Sequence, residues 1–194
     1  MKSVVYIFII GFCGITFGQD ISEIIIQGNH KTRSQFIQNI TQVKAGNSLD
    51  SAKIELDISR LKRLPGIAHA YYKVEKTIDN SYSVTYGVEE NFTIIPSANV
   101  YTTNDDEFAY RLGLYEFNGL GRNILIGGYF QRDIFNSYGI NFRAPYLFSN
   151  KLGLAVNHQN LSTLEPVFLE EGVADYRYNN TSYEILGLYE FNFH

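Results

Sequence analysis

Two different hydrophobic periods divide this chain. Up to residue 90 the apolar positions switch between strand and helix spacing, and from Asn91 onward only the strand period remains. ISEIIIQG, residues 21–28, is a β-branched run ending at Gly28-Asn29, which predicts a strand closed by a turn. Thr32 with Gln35 has the spacing of a capping box, and Phe36, Ile37 and Ile40 then fall on one helical face. Ala45-Gly46-Asn47 breaks that helix. A second helix is expected from Asp50, with Ile54, Ile58 and Leu61 on one face and Leu64-Pro65-Gly66 as its stop. Two strands follow, residues 68–77 and 82–89, joined by a turn at Asp79-Asn80-Ser81. The predicted order is β-α-α-β-β, an α+β unit.

The second half alternates. Phe108, Tyr110, Leu112 and Leu114 are separated by Ala109, Arg111 and Gly113; Tyr138, Ile140, Phe142 and Ala144 by Gly139, Asn141 and Arg143. Leu152, Leu154 and Val156 repeat the pattern. This predicts antiparallel strands with one apolar and one polar face, punctuated by Gly, Asn, Asp and Ser turns. A soluble sandwich would alternate in the same way. Strands of about ten residues with aromatic ends favour a membrane barrel.

Composition and the N-terminus sharpen that choice. Met1-Lys2 followed by the apolar VVYIFIIGF has the form of an export signal over residues 1–18, too short to span a bilayer. The bulky Phe12 before Cys13 argues against a lipoprotein cysteine, so the exported chain is expected to lack cysteine. Aromatic residues reach 15%, with 15 Tyr, 14 Phe and no Trp, a load suited to β-structure or a membrane interface. The net charge of −4, without a basic run, removes nucleic acid as a partner.

The stretches GNHKTRSQFI, GNSLDSAKIELDISRLKRLPGIAHAYYKVEK and YSVTYGVEEN together resemble a POTRA domain of the BamA superfamily of outer-membrane assembly and translocation proteins. The resemblance rests on Gly28-Asn29, the helix led by Thr32, Gly46, the Leu64-Pro65-Gly66 stop and the Val88-Glu89 strand end. NGLGRNILIGGYF and FRAPYLFSNKLGLAV are similar to early barrel strands of that family. Asn118, Gly119, Gly121 and Arg122 occupy the place of its glycine-rich periplasmic turn. The implied organisation is a signal at 1–18, a POTRA domain at 20–90 and the N-terminal part of an outer-membrane barrel at 91–194.

About six strands fit into the second half, fewer than the eight of the smallest closed barrels. Open strand edges in lipid leave backbone groups unpaired at several kcal/mol each, so the chain is expected to be the N-terminal part of a longer one. The resemblance implies assistance to the insertion or translocation of client proteins, with the POTRA domain in the periplasm and the barrel in the bilayer. It assigns client binding to an edge strand carrying Ala68, Ala70, Tyr71, Tyr72, Lys73, Val74 and Glu75, which accepts an extended segment by strand addition. Lys73 and Lys76 would equally protect a mere edge. It also assigns a weak barrel seam to residues 92–103, with Phe92, Ile94, Pro96, Ala98 and Val100; Pro96 suits an edge because it donates no ladder bond. Partners are then unfolded outer-membrane clients or periplasmic proteins, and lipid. The alternatives are a barrel anchor or channel without insertase activity, and a soluble periplasmic binding module.

Catalysis finds no support. His30, His69, His158 and His194 show no metal spacing, Asp105-Asp106-Glu107 lacks the pattern of a calcium loop, and there is no nucleophile elbow. No catalytic, metal or cofactor residue is expected. LGLYEFN occurs twice, at residues 112–118 and 186–192. If residues 161–182 form a long excursion, both copies end descending strands, with Tyr115/Phe117 and Tyr189/Phe191 near the periplasmic interface. A tight hairpin at Asn179-Asn180-Thr181 would instead turn the second copy around.

Overall fold

The computed structural model describes residues 20–103 and 106–191. The signal, Cys13, Asp105 and His194 lie outside the described residues. The N-terminal domain runs β1 (Ile21–Gln27), α1 (Ser34–Ile40), α2 (Ser51–Lys62), β2 (Ile67–Lys76) and β3 (Tyr82–Glu90). Its three strands are ordered β1-β3-β2, with β1 parallel and β2 antiparallel to the central β3. The sheet therefore has two edges, β1 as well as the expected second strand.

The helical stripes do what their spacing requires. Phe36, Ile37 and Ile40 of α1 and Ile54, Ile58 and Leu61 of α2 pack onto Ile21, Val84, Tyr86 and Val88 to form the core. Asp50 caps α2 by accepting from the Ala52 and Lys53 amides, at 3.1 and 3.3 Å. Thr32 does not cap α1. Arg33 is the N-cap residue and makes no side-chain cap bond, while Thr32 is buried and its hydroxyl turns toward the second domain. Buried in the core is a charge the hydrophobic pattern conceals. Asp57 accepts from the Gln42 and Val43 amides at 2.7 and 3.0 Å and from the Tyr86 hydroxyl at 2.8 Å, tying the loop after α1 to α2 and β3. Burial first, and Asp57 second, push the Tyr86 hydroxyl far above its ordinary pKa.

The second domain is a six-stranded antiparallel meander: β4 (Ile94–Thr102), β5 (Phe108–Gly119), β6 (Ile124–Arg132), β7 (Asn136–Ala144), β8 (Leu152–Leu169) and β9 (Gly172–Tyr189). Each strand pairs with its sequence neighbours, and β4 and β9 are the free edges. Paired residues share a face. One row across the sheet reads Pro96, Leu114, Gly128, Ile140, His158, Tyr183; a row on the other face reads Ser97, Gly113, Tyr129, Gly139, Gln159, Ser182. One face is thus apolar and the other polar. On the polar face Asn141 donates to Asn157 at 3.0 Å and Asn157 to Glu184 at 2.7 Å. Tyrosines there lie over glycines: a Cβ on Gly127 would come within 2.3 Å of the Tyr115 ring, and one on Gly139 within 2.5 Å of Tyr129.

Residues 161–182 are not a loop. β8 and β9 pair without interruption from Leu152↔Tyr189 to Leu169↔Gly172, so the excursion is a long hairpin and the second LGLYEFN copy descends. The two copies nevertheless face opposite ways. Leu112 pairs with Ala98 and Phe130 on the apolar face, which puts Tyr115 on the polar face opposite Ile95 and Gly127. In the second copy Leu186 is on the polar face and Tyr189, opposite Leu152, on the apolar one. Tyr189, with the exposed Phe191 edge-on to it at 4.8 Å, takes the place of an interfacial aromatic; Tyr115 and Phe117 line a hollow of the polar face with Leu125 and Leu186.

Candidate binding edges and the interdomain junction

β2 pairs on one side only, with β3. Ala70, Tyr72 and Val74 point toward the helices and pack on or within the core. Tyr71, Lys73 and Glu75 occupy the open face, with Lys73 and Glu75 paired at 2.7 Å in solvent and Tyr71 lying over Gly87. Ala68 falls at an irregularity of register between Ile67 and His69. What this strand offers a partner is its free backbone edge.

The seam strand is shorter than its sequence suggests. Phe92 precedes β4, which starts at Ile94, because Thr93 is drawn into the junction: its carbonyl accepts from the Phe117 amide at 2.9 Å and its hydroxyl from Lys31 at 2.8 Å. Ile94, Pro96, Ala98 and Val100 share the apolar face, and all of β4 is exposed along its unpaired side.

The glycine-rich turn forms the junction itself. Asn118 is 2% exposed. Its amide nitrogen donates to Thr32 Oγ1 at 2.8 Å and its side-chain oxygen accepts from the Asn123 amide at 2.9 Å. A Cβ on Gly66 would approach Asn118 to 2.8 Å. Gly121 has φ +66°, donates nothing by way of a side chain, and a Cβ there would stand 2.1 Å from the Lys31 carbonyl. Its own carbonyl accepts from the Arg33 amide at 3.0 Å. Only glycine meets both demands. Arg122, by contrast, is exposed at the rim.

Carboxylates complete this contact. Glu90 accepts from the Lys31 and Thr32 amides at 2.8 and 2.6 Å. Burial alone would raise its pKa, but these hydrogen bonds outweigh it and hold the carboxyl below its ordinary value. Glu116, in the first LGLYEFN copy, pairs with Lys31 at 2.5 Å. The second copy supplies the corresponding group on the far side of the sheet. Glu190 pairs at 2.8 Å with Arg60 of α2, whose side chain is only 4% exposed. Arg60 also donates to the Ile40 carbonyl at 2.6 Å and to the Asn150 carbonyl, and stacks 5.3 Å from the Tyr146 ring centre. The N-terminal domain is thereby bonded to both ends of the six-stranded sheet. Neither cation's role had a signature in the hydrophobic pattern; the shared Glu of the two repeats was the available clue.

Among the described residues no three His, Cys, Asp or Glu side chains converge on a metal-sized space, and no helix is long and apolar enough to cross a membrane. His158 lies between Tyr138 and Tyr183, stacked on the latter at 4.4 Å.

Residues 19–91 match the POTRA family model, described as surface antigen variable number repeat. No curated protein matches the sequence. Among solved structures, BamA from Haemophilus ducreyi lacking POTRA domains 1–3 is similar with TM-score 0.62 and 20% identity, over 75% of this chain and 28% of that one. CdiB from Acinetobacter baumannii gives 0.52 and 15%, over 87% and 33%; CdiB from Escherichia coli gives 0.55 and 12%, over 84% and 31%. The chain spans about a third or less of the length of these structures. At these identities the likeness is one of fold: a POTRA domain followed by strands of an open, incomplete barrel.

Proposed function

We propose that this BamA-type chain, a POTRA domain joined to barrel strands, is an outer-membrane protein that assists the insertion or translocation of client proteins. The observation carrying the reading is the pair of open strand edges, one in each of two domains bonded to each other. β2 offers a backbone edge beside the periplasmic ends of the barrel strands, and β4, with Pro96, offers a second edge within the apolar sheet. Main-chain pairing at such edges needs no particular client side chains, which suits many extended clients. No step of this mechanism requires a cofactor or a covalent intermediate. The apolar face meets lipid and the polar face the lumen, and the short turn between β5 and β6 beside the POTRA domain, opposite the long β8–β9 hairpin, supports a periplasmic position for that domain. Depleting the protein and following unrelated outer-membrane proteins tests the reading: their levels are expected to fall, and unchanged levels would overturn it.

A second reading, a barrel anchor or channel without insertase activity, is favoured by the junction. A POTRA domain bonded at both ends of the sheet is held in one place, as a fixed plug or mount would be. Normal levels of unrelated outer-membrane proteins after depletion, with the protein itself in the membrane, would support it.

A further inference from the structure

The interdomain contact leaves a cleft of about 340 Å³ between α1 and the turn from β7 to β8, lined by Phe36, Lys44, Arg122, Tyr146, Phe148 and Asn150 among others. We propose that this cleft binds the phosphate headgroup of an anionic phospholipid. The inference rests on the reading that the six-stranded sheet lies in a bilayer.

Two cations, Lys44 and Arg122, line the cleft and no carboxylate does. Lys44 Nζ donates to the Gln38 carbonyl, which leaves the other protons of its ammonium for a ligand. Among the described residues the Arg122 side chain has no hydrogen bond or ion pair, so its planar fork is available to a phosphate. Asn39, Ser149 and Asn150 add neutral polar groups to the wall. The acids around the cleft are engaged elsewhere: Asp57 accepts from two amides and the Tyr86 hydroxyl, and Glu190, beside Tyr146, is paired with Arg60. Burial lowers the Lys44 pKa, partly offset by Asp57, so a bound anion would relieve a charge held in a poorly solvated place.

The surroundings specify an amphiphile over a free anion. The turns between β5 and β6 and between β7 and β8 lie at the same end of the meander, where the apolar rows stop and headgroups begin. Leu120 on the first turn is 67% exposed and Phe148 on the second 64% exposed. Exposed apolar tips beside cations form the pattern of interfacial anchoring to acidic lipid. A soluble phosphate would use the two cations and leave Leu120, Leu147 and Phe148 without a role.

The test uses the full chain in nanodiscs of phosphatidylcholine containing phosphatidylglycerol, with heat-modifiable gel migration establishing insertion independently. Lipids retained on release into the gas phase are counted by native mass spectrometry. Wild type is expected to retain phosphatidylglycerol preferentially, and the K44Q/R122Q variant to lose that preference by about tenfold, a difference of roughly 1.4 kcal/mol. The charge-preserving K44R/R122K variant is expected to keep it. Equal preference in wild type and K44Q/R122Q, or displacement of the lipid by inorganic phosphate, would overturn the proposal. A chain that shows no heat-modifiable migration would overturn the membrane reading beneath it, before any lipid is counted.

Discussion

Asn118 concentrates much of the junction in one side chain. Replacing it by alanine removes its bonds to the Thr32 hydroxyl and the Asn123 amide inside a buried contact. Leaving those groups unsatisfied costs about 2–3 kcal/mol. N118A is therefore expected to expose the segment between β3 and β4 to protease while the POTRA core stays protected, read by limited proteolysis. Glu90 adds a pH dependence. Its folded pKa is depressed, so its contribution is complete above the unfolded value of about 4.3 and is lost as pH falls through the lower folded value. Protection of the Lys31 and Thr32 amides, taken relative to their intrinsic exchange rate, should fall over that acid range in wild type, and E90Q should abolish the acid dependence; an unchanged profile in E90Q would contradict the assignment. The glycine-rich turn was legible as a turn because Gly and Asn announce one. Its burial was not, since contact partners as remote in sequence as Thr32 and Gly66 leave no local trace. Asp57 was hidden for a related reason: a charged residue between Ile54 and Ile58 reads as solvent-facing until the loop that needs its two oxygens is in place.

At the scale of elements, alternation revealed β5, β7 and the start of β8, and helical spacing both helices; β4 was assigned by resemblance, and the long β8–β9 hairpin was expected as an excursion. Alternation could not reveal register. Two copies of LGLYEFN look equivalent along the chain, but one residue of offset exchanges the faces of a strand. The first copy therefore sends its tyrosine over Gly127 on the polar face and the second sends its tyrosine to the apolar face. This difference is testable. In a bilayer, a lipid-soluble quencher is expected to reach a fluorophore at Tyr189 but not one at Tyr115; equal quenching would contradict the register. The polar face has its own constraint. Gly139 lies under Tyr129, whose ring carries the Arg111 guanidinium at 3.7 Å. G139V is expected to displace that stack and reduce the folded, heat-modifiable fraction, measured on unboiled gels, while the POTRA domain remains folded.

For the whole molecule the decisive feature is the two-point attachment of the POTRA domain. Lys31 with Glu116 holds one end of the sheet and Arg60 with Glu190 the other. Spin labels on α2 and on the turn between β5 and β6 should give a narrow distance distribution that broadens in K31E and recovers in K31E/E116K. Failure of the exchanged pair to recover would show that the pair does not set the orientation. Both the insertase and the anchor reading require the six-stranded sheet to be embedded in a bilayer. The most direct measurement is alkaline carbonate extraction of membranes, followed by gels run with and without boiling. The protein is expected to stay with the membrane and to migrate faster unboiled; release into the carbonate supernatant with unchanged migration would contradict the account.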